Sequence, residues 1–209
     1  MLMETETTMI CYIIRHAEKE QGDFYNPYLR HQDGPISQRG RLNAQKLSLY
    51  FANKPISTIY ISGYQRTRQT IENVAQQLHL APILDERLNE IDNGLFEGLT
   101  EQEIQQSFPD IWNTYRKRTS DFRFPEGETG EEVKGRIMDF LEQKRGQHIS
   151  ESIILVSHDG LIRSLICGIL GMPAYQRWNL QTDFGGITEI VYQQEIEAWK
   201  LIRFNQICI

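Results

Sequence analysis

Apolar and polar positions alternate along this chain in blocks whose periods change. A run of apolar residues at 9–14 closes on Arg15-His16, a helical stretch led by Ser37 runs through Leu47 and Phe51, and a second apolar run fills 58–61. Strand, helix and strand in that rhythm predict βαβ units. Ile71, Val74, Ala75 and Leu78 recur at i, i+3, i+4 and i+7, and Val133, Ile137, Phe140 and Leu141 do nearly the same, so two further helices each bury one face. A strand at 153–156 leads to a helix at 161–170, which Gly171-Met172-Pro173 stops. Gly185-Gly186 then separates it from a β-branched strand at 187–192, and a last strand covers 198–204. Between Pro82 and Pro125 the pattern loosens to a short helix near 100–108. A tract rich in Arg, Phe, Pro and Gly follows at 116–130, so residues 92–130 read as a lid over a crevice.

Two of these strands end in a histidine: Arg15-His16 after the first and Ser157-His158 after the run at 153–156. In open α/β sheets ligands bind beyond the carboxyl ends of strands, so residues just past buried strands meet in one crevice. A third strand end brings Ser62 and, four residues on, Arg66 at the start of the helix that holds Ile71. Guanidinium forks match phosphoryl oxygens and a helix start favours negative charge, so Arg15, Arg66 and that helix terminus describe an anion pocket. A neutral histidine at its centre can serve as nucleophile if its second nitrogen is held.

Composition narrows this without redirecting it. Hydrophobic residues at 40% and charged residues at 24% are ordinary globular usage, and 209 residues suit one domain. A net charge of −6 without a basic stripe argues against nucleic acid. No stretch reaches the roughly 18 apolar residues of a membrane span and the first eight residues are polar, so a soluble cytoplasmic protein is expected. Cys11, Cys167 and Cys208 are an odd number lying in or beside apolar segments, as reduced core thiols do.

The ordered motifs resemble those of the histidine phosphatase superfamily, also called the phosphoglycerate mutase-like family. Arg15-His16-Ala17-Glu18 is similar to its opening Arg-His-Gly-Glu, Ile36 to Gly40 to its Leu-Thr-Gly element, and Ser62 to Thr67 to its Ser-x-x-x-Arg-Thr. Leu88 to Gly94 with Phe96-Glu97-Gly98 resembles its acidic segment, Pro125-Glu126-Gly127-Glu128 its Pro-Gly-Gly-Glu, and Val156 to Gly160 its second-histidine motif. Departures are Ala17 and Gly22, where glycine and asparagine are common, and Asp159 at a position often glycine.

The resemblance implies a three-layer α/β/α sandwich with a mostly parallel central sheet, phosphoglycerate mutase-like, across residues 1–209. It implies His16 as the nucleophile that becomes phosphohistidine, Arg15, Arg66 and His158 as the phosphate pocket, and Glu90 as general acid. Ser37 and Asp159 join Arg15, Arg66 and His158 as substrate-binding candidates. No cofactor or metal is implied. Phosphate charge is met by side chains, and no paired-His or Cys-x-x-Cys spacing exists. The implied reaction is metal-independent hydrolysis of a small phosphomonoester, with no nucleic-acid or membrane partner and homo-oligomers allowed. A cofactor-dependent mutase is the alternative. It would need extra cations, for which Arg116, Lys117 and Arg118 are the clustered candidates, but Ile91 and not arginine follows Glu90. A non-catalytic phospho-ligand or protein-binding module is a second alternative, whose mark would be a missing His16, Arg66 or Glu90.

Rival chemistries find no support. No cysteine stands six before an arginine, no Asp-x-Asp occurs, and no glycine precedes a lysine. His31, His79 and His148 are expected at the surface, Arg68 and Arg163 as salt-bridged neighbours of the motifs, and Trp178 in the core. Trp112, Tyr115, Phe122 and Phe124 suit either a substrate pocket or a small core for the lid. The segment 19–35, with Tyr25, Tyr28, Arg30 and His31, is expected to be a substrate-contacting loop.

Overall fold

The computed structural model describes residues 8–208. Its strands and helices run β1 (Thr8–Arg15), β2 (Tyr25–Asn26), β3 (His31–Gln32), α1 (Gln38–Phe51), β4 (Ile56–Ile61), α2 (Gln65–Leu78) and β5 (Ile83–Leu84). They continue through α3 (Glu101–Ser107), α4 (Pro109–Lys117), α5 (Gly130–Gln147), β6 (Ser152–Ser157), α6 (Asp159–Ile169), β7 (Ile187–Gln193) and β8 (Ala198–Gln206).

Six strands form one sheet in the order β5-β4-β6-β1-β7-β8, and β2 and β3 pair as a separate hairpin. The first four strands are parallel, while β7 and β8 close one side antiparallel. Period two sorts the β1 side chains between two helical layers. Cys11 and Ile13 pack with Val133, Ile137 and Leu141 of α5 and Leu161 and Leu165 of α6. Tyr12 and Ile14 pack with Leu47 and Phe51 of α1 and Ile71 and Val74 of α2. The fold is therefore a three-layer α/β/α arrangement on a mostly parallel sheet. Helix starts are set by local chemistry: Ser37 caps α1 by accepting from Gly40 N, and Thr100 and Thr129 form capping boxes with Glu103 and Glu132. Among the described residues, no helix is long and apolar enough to cross a membrane.

The structure corrects several sequence expectations. Helix α4 was not expected; Phe108-Pro109 reads as a break, yet Pro109 sits at the first helical position, where its missing N–H costs nothing. The β2–β3 hairpin is likewise new, its strands too short to show period two. His31 and His148 are buried rather than on the surface because each ring nitrogen finds a partner: His31 bonds Ile91 O and Glu97, His148 bonds Tyr60 and Glu151. Trp178 is half-buried and lines a cavity instead of the core. Arg163 does pair, with Asp159 at 2.8 Å, whereas Arg68 is exposed and meets no carboxylate among the described residues. Phe96, Phe108, Tyr115, Phe122 and Phe124 stack edge-to-face or tilted, and this aromatic group is continuous with the core beneath α5 and α6, so segment 92–130 is anchored on the main core.

Candidate active site

The parallel register of β1 and β6 sets Arg15 beside Ser157, so the next residues on the two strands, His16 and His158, emerge side by side with ring centroids 5.1 Å apart. His16 is 5% exposed, and its Nδ1 lies 2.8 Å from Ala17 O. A carbonyl only accepts, so Nδ1 carries the proton and Nε2 keeps a free lone pair. Burial, then the charge of Arg66, holds the His16 pKa well below its ordinary value, despite the opposing pull of the Ala17 carbonyl. Ala17 N in turn donates to Thr70 Oγ1 at 2.8 Å, which ties the histidine turn to α2.

Ser62 and Arg66 meet His158 from the end of β4 and the first turn of α2. Arg66 Nη2 lies 3.1 Å from His158 Nδ1 and Ser62 Oγ lies 2.8 Å from His158 Nε2. Because a guanidinium only donates, Nδ1 accepts and Nε2–H donates to the hydroxyl: His158 is neutral. Burial, reinforced by Arg66 and His16, lowers its pKa in agreement with that tautomer. Arg66 stacks on Tyr64 at 4.1 Å and donates to Gln32 O at 2.8 Å, with Asp33 at 3.6 Å. Arg15 stacks on Phe184 at 4.1 Å and donates to Thr182 O. The Nε atoms of Arg15 and Arg66 are both buried without a hydrogen-bond partner in the protein. Two fixed guanidiniums that retain an unmade donor beside a neutral imidazole form a site for an acceptor-rich anion.

Glu90 enters from the segment after β5. Its carboxyl group accepts from Ile91 N at 3.0 Å, from Leu161 N at 3.2 Å and from Gly160 N at 3.4 Å, so it rests on the first turn of α6. Arg136 fixes the backbone there by donating to Arg87 O, Asn89 O and Glu90 O at 2.6, 2.9 and 3.2 Å. Glu128 holds Arg136 through a forked pair and also accepts from Asp92 N at 2.9 Å. Gly94, at φ +52°, lets the acidic segment lie against the Pro-Glu-Gly-Glu turn, since a Cβ there would stand 1.9 Å from Pro125 O. Beyond Glu90 opens a cavity of about 360 Å³, whose walls include Tyr115, Asp159, Arg163, Arg177 and Trp178.

Of the residues singled out in the sequence, the structure joins Arg15, His16, Arg66 and His158 in one network, with Glu90 and Asp159 on the adjoining cavity. Ser37 stands outside this network: its hydroxyl donates to Glu18 at 2.8 Å and accepts from Gly40 N. Asp159 is held by Arg163 at 2.8 Å, by the Thr182 hydroxyl at 2.7 Å and by Arg15 at 3.8 Å, so its carboxylate positions two arginines. Lys19 was read only as the start of a loop. Its pKa is lowered by burial and then by Arg66, and it feels Glu90, Glu97 and Asp33, so it adds a cation to the same surroundings. Its place directly after the histidine motif was the available signal. Arg136 and Phe184 carried none, since neither belongs to a strand-end motif. Among the described residues, no group of three or more His, Cys, Asp or Glu is arranged to hold a metal ion.

Comparison with known proteins agrees with this geometry. Phosphoserine phosphatase 1 of Hydrogenobacter thermophilus is 29% identical over 199 residues, covering 94% of this chain and 92% of that one. Probable phosphoglycerate mutase GpmB of Shigella dysenteriae is 30% identical over 194 residues, covering 88% and 86%. A mycobacterial glucosyl-3-phosphoglycerate phosphatase structure superposes with a TM-score of 0.80 at 20% identity, covering 95% of this chain and 99% of that one. A putative alpha-ribazole-5'-P phosphatase from Escherichia coli gives 0.79 at 23% identity, covering 95% and 96%. With residues 11–206 matching the model of the histidine phosphatase superfamily (branch 1), the chain belongs to that superfamily.

Proposed function

We propose that the protein hydrolyses small phosphomonoesters through a phosphohistidine at His16, without a metal ion. The observation that carries this is the tautomer: Nδ1 of His16 is committed to Ala17 O, which leaves Nε2 as a lone pair beside two arginines with unmade donors. The phosphoryl group sits between Arg15 and Arg66, with the amino end of α2 adding partial positive charge. His16 Nε2 attacks phosphorus, the P–N bond forms as the ester P–O bond breaks, and Glu90 gives its proton to the leaving oxygen. Glu90 then takes a proton from water, whose oxygen attacks phosphorus and releases His16 and inorganic phosphate. His158 takes up a proton from solvent at Nδ1 as the phosphate dianion binds and stabilises the imidazolium, so that Nδ1 turns from accepting from Arg66 to donating to a phosphoryl oxygen.

Segment 92–130 acts as the lid, with Phe96, Tyr115 and Phe124 shaping the leaving-group cavity. Cationic side chains do the charge neutralisation that a divalent ion performs elsewhere, which supports the metal-free reading. The buried thiols of Cys11 and Cys167 accord with a reducing, cytoplasmic setting.

The test is hydrolysis of p-nitrophenyl phosphate in EDTA by the wild type and by His16→Ala, with alkaline quenching to preserve a phosphorylated imidazole. Phosphate release and a trapped phosphoprotein that both vanish with His16 are expected. Activity that survives His16→Ala, or that EDTA abolishes, overturns the reading.

A further inference from the structure

His31 is a buried residue on an exposed hairpin. Residues 20–25 are all exposed, whereas His31 is 4% exposed and turned inward. Its Nε2 lies 2.7 Å from Ile91 O and its Nδ1 lies 2.8 Å from Glu97 Oε2. Glu97 also accepts from Gln32 N at 2.9 Å and from the side-chain amide of Asn93 at 3.1 Å, so its carboxylate is ionised and only accepts. With an acceptor at each ring nitrogen, His31 donates from both and stands as an imidazolium.

The carbonyl that His31 holds belongs to the residue beside the proton donor. Ile91 N donates to the Glu90 carboxyl group at 3.0 Å, so a residue gripped at its carbonyl presents its amide to the acid. Along the acidic segment Arg136 clamps the carbonyls of Arg87, Asn89 and Glu90, and Glu128 N donates to Asp92 O at 2.9 Å. Ile91 O falls between these and is bonded by the hairpin instead. The same hairpin reaches the phosphate pocket, because Gln32, whose N–H donates to Glu97, accepts from Arg66 at its carbonyl, 2.8 Å away. Tyr64 meets both His31 and His158 edge-on and fills the space between them.

We infer that His31 is a positioning residue for Glu90: it fixes the acid's segment from the hairpin side, as Arg136 does from α5, and joins that segment to the arginine that binds phosphate. This rests on the phosphatase reading above and deepens it. A pin for the hairpin alone would need only the bond to Glu97. The second bond, to Ile91 O, is the one that bears on the acid, and it requires the second ring N–H.

The experiment separates the two bonds. An asparagine amide stands where Nδ1 does and a glutamine amide where Nε2 does, so His31→Asn keeps the bond to Glu97 and His31→Gln keeps the bond to Ile91 O. In His31→Asn, kcat/KM for glycerol 2-phosphate should fall roughly tenfold or more, within the about 10²–10⁴-fold that a positioned acid supplies, while p-nitrophenyl phosphate, whose leaving group needs no proton, should lose about threefold or less. His31→Gln should bring the alkyl ester back to near the wild-type rate. On a Glu90→Gln background, His31→Asn should add almost nothing. Equal losses on both esters, equal losses in the two folded variants, or full additivity with Glu90→Gln overturns the inference. Amide exchange of Gly160 and Leu161 gives a readout that needs no catalysis, since both N–H groups lie in the first turn of α6 and donate to Glu90. Their exchange should quicken in His31→Asn and hold in His31→Gln, and unchanged exchange in both refutes the positioning. If His31→Asn folds poorly, His31→Gln decides alone: wild-type exchange and alkyl-ester rates support the inference, and fast exchange or a tenfold slower alkyl ester overturns it. His16-dependent hydrolysis of p-nitrophenyl phosphate is measured alongside. Its presence with equal losses in the two variants sinks only the role of His31, and its absence sinks the phosphatase reading while the exchange rates still decide whether His31 positions Glu90.

Discussion

Gly160→Ala is a one-methyl test of whether Glu90 is the proton donor. A Cβ at residue 160 would stand 2.8 Å from Glu90 Oε1 and 2.7 Å from Ile91 Cγ2, both closer than van der Waals contact allows. Two effects on stability oppose each other. Alanine gains about 0.5–1 kcal/mol over glycine inside a helix, and overpacking costs about 1–3 kcal/mol. Since the carboxyl end of Glu90 can swing aside, the net loss should be about 0–2.5 kcal/mol, and the variant should remain folded. The rate should suffer more, because the swing lifts Glu90 from the amides of Gly160 and Leu161 that position it. A positioned acid is worth about 10²–10⁴-fold, which sets the ceiling for the loss. The quantity to measure is kcat/KM, which reports steps up to formation of the phosphohistidine and is blind to its later hydrolysis. Alkyl phosphates should lose most of that ceiling, and p-nitrophenyl phosphate far less, because nitrophenolate departs without a proton. In Glu90→Gln the alanine should then add almost nothing, as non-additivity demands of two changes acting through one group. Equal losses on both esters, or full additivity in the double variant, refute the assignment of Glu90.

Arg136→Met should cost about 2–4 kcal/mol in urea unfolding, because it strands Glu128 and frees three carbonyls that its guanidinium now clamps. Arg136→Lys should recover little of this, since one ammonium cannot reproduce the fork. Because the pKa values of His16 and His158 are depressed by burial, the unfolded chain takes up their protons first. The contribution of these two histidines is therefore full above about pH 6.5 and should fall by up to about 1.4 kcal/mol per pH unit for each of them below it; a flat urea midpoint between pH 6.5 and 5 would contradict the neutral assignments. His31 behaves in the opposite sense: burial lowers its pKa, but the hydrogen bond and charge of Glu97 outweigh that and raise it. Glu97 itself, raised by burial but pulled down more strongly by His31, falls to about 2. The pair should thus stabilise most between about pH 4.5 and 6.5, losing strength above as His31 deprotonates and far below as Glu97 protonates. Imidazole NMR titration of Glu97→Gln should show His31 shifted down, and an unmoved His31 would discount the pair.

The sheet and its flanking helices were legible because buried strands and one-faced helices leave periods in the sequence. The runs at 9–14, 58–61, 153–156 and 187–192 fall within β1, β4, β6 and β7. Arg15, His16, Arg66 and His158 could be placed together for the same reason, as they follow strands whose order in a parallel sheet constrains where their ends lie. Segment 92–130 was only partly legible. Its helices are short, and it joins the main core through aromatic contacts between residues scattered from Phe96 to Phe124, which no local period records. His31 shows the limit most plainly: its neighbours in sequence are polar, and only the arrival of Ile91 O and Glu97 from sixty or so residues away makes burial affordable.

The motif at Pro125–Glu128 illustrates how a sequence signature can be functional without touching substrate. Glu128 bonds Arg136 and Asp92 N, and Arg136 carries the carbonyls on either side of Glu90. The turn also lies against Gly94 so closely that only glycine fits there. The acidic segment and this motif therefore form one device that holds the carboxyl group of Glu90 on α6 while leaving its far side open to the cavity. The support of Glu90 is thus built largely from backbone amides and carbonyls, so exchanging the side chains that line the cavity leaves the position of its carboxyl group in place.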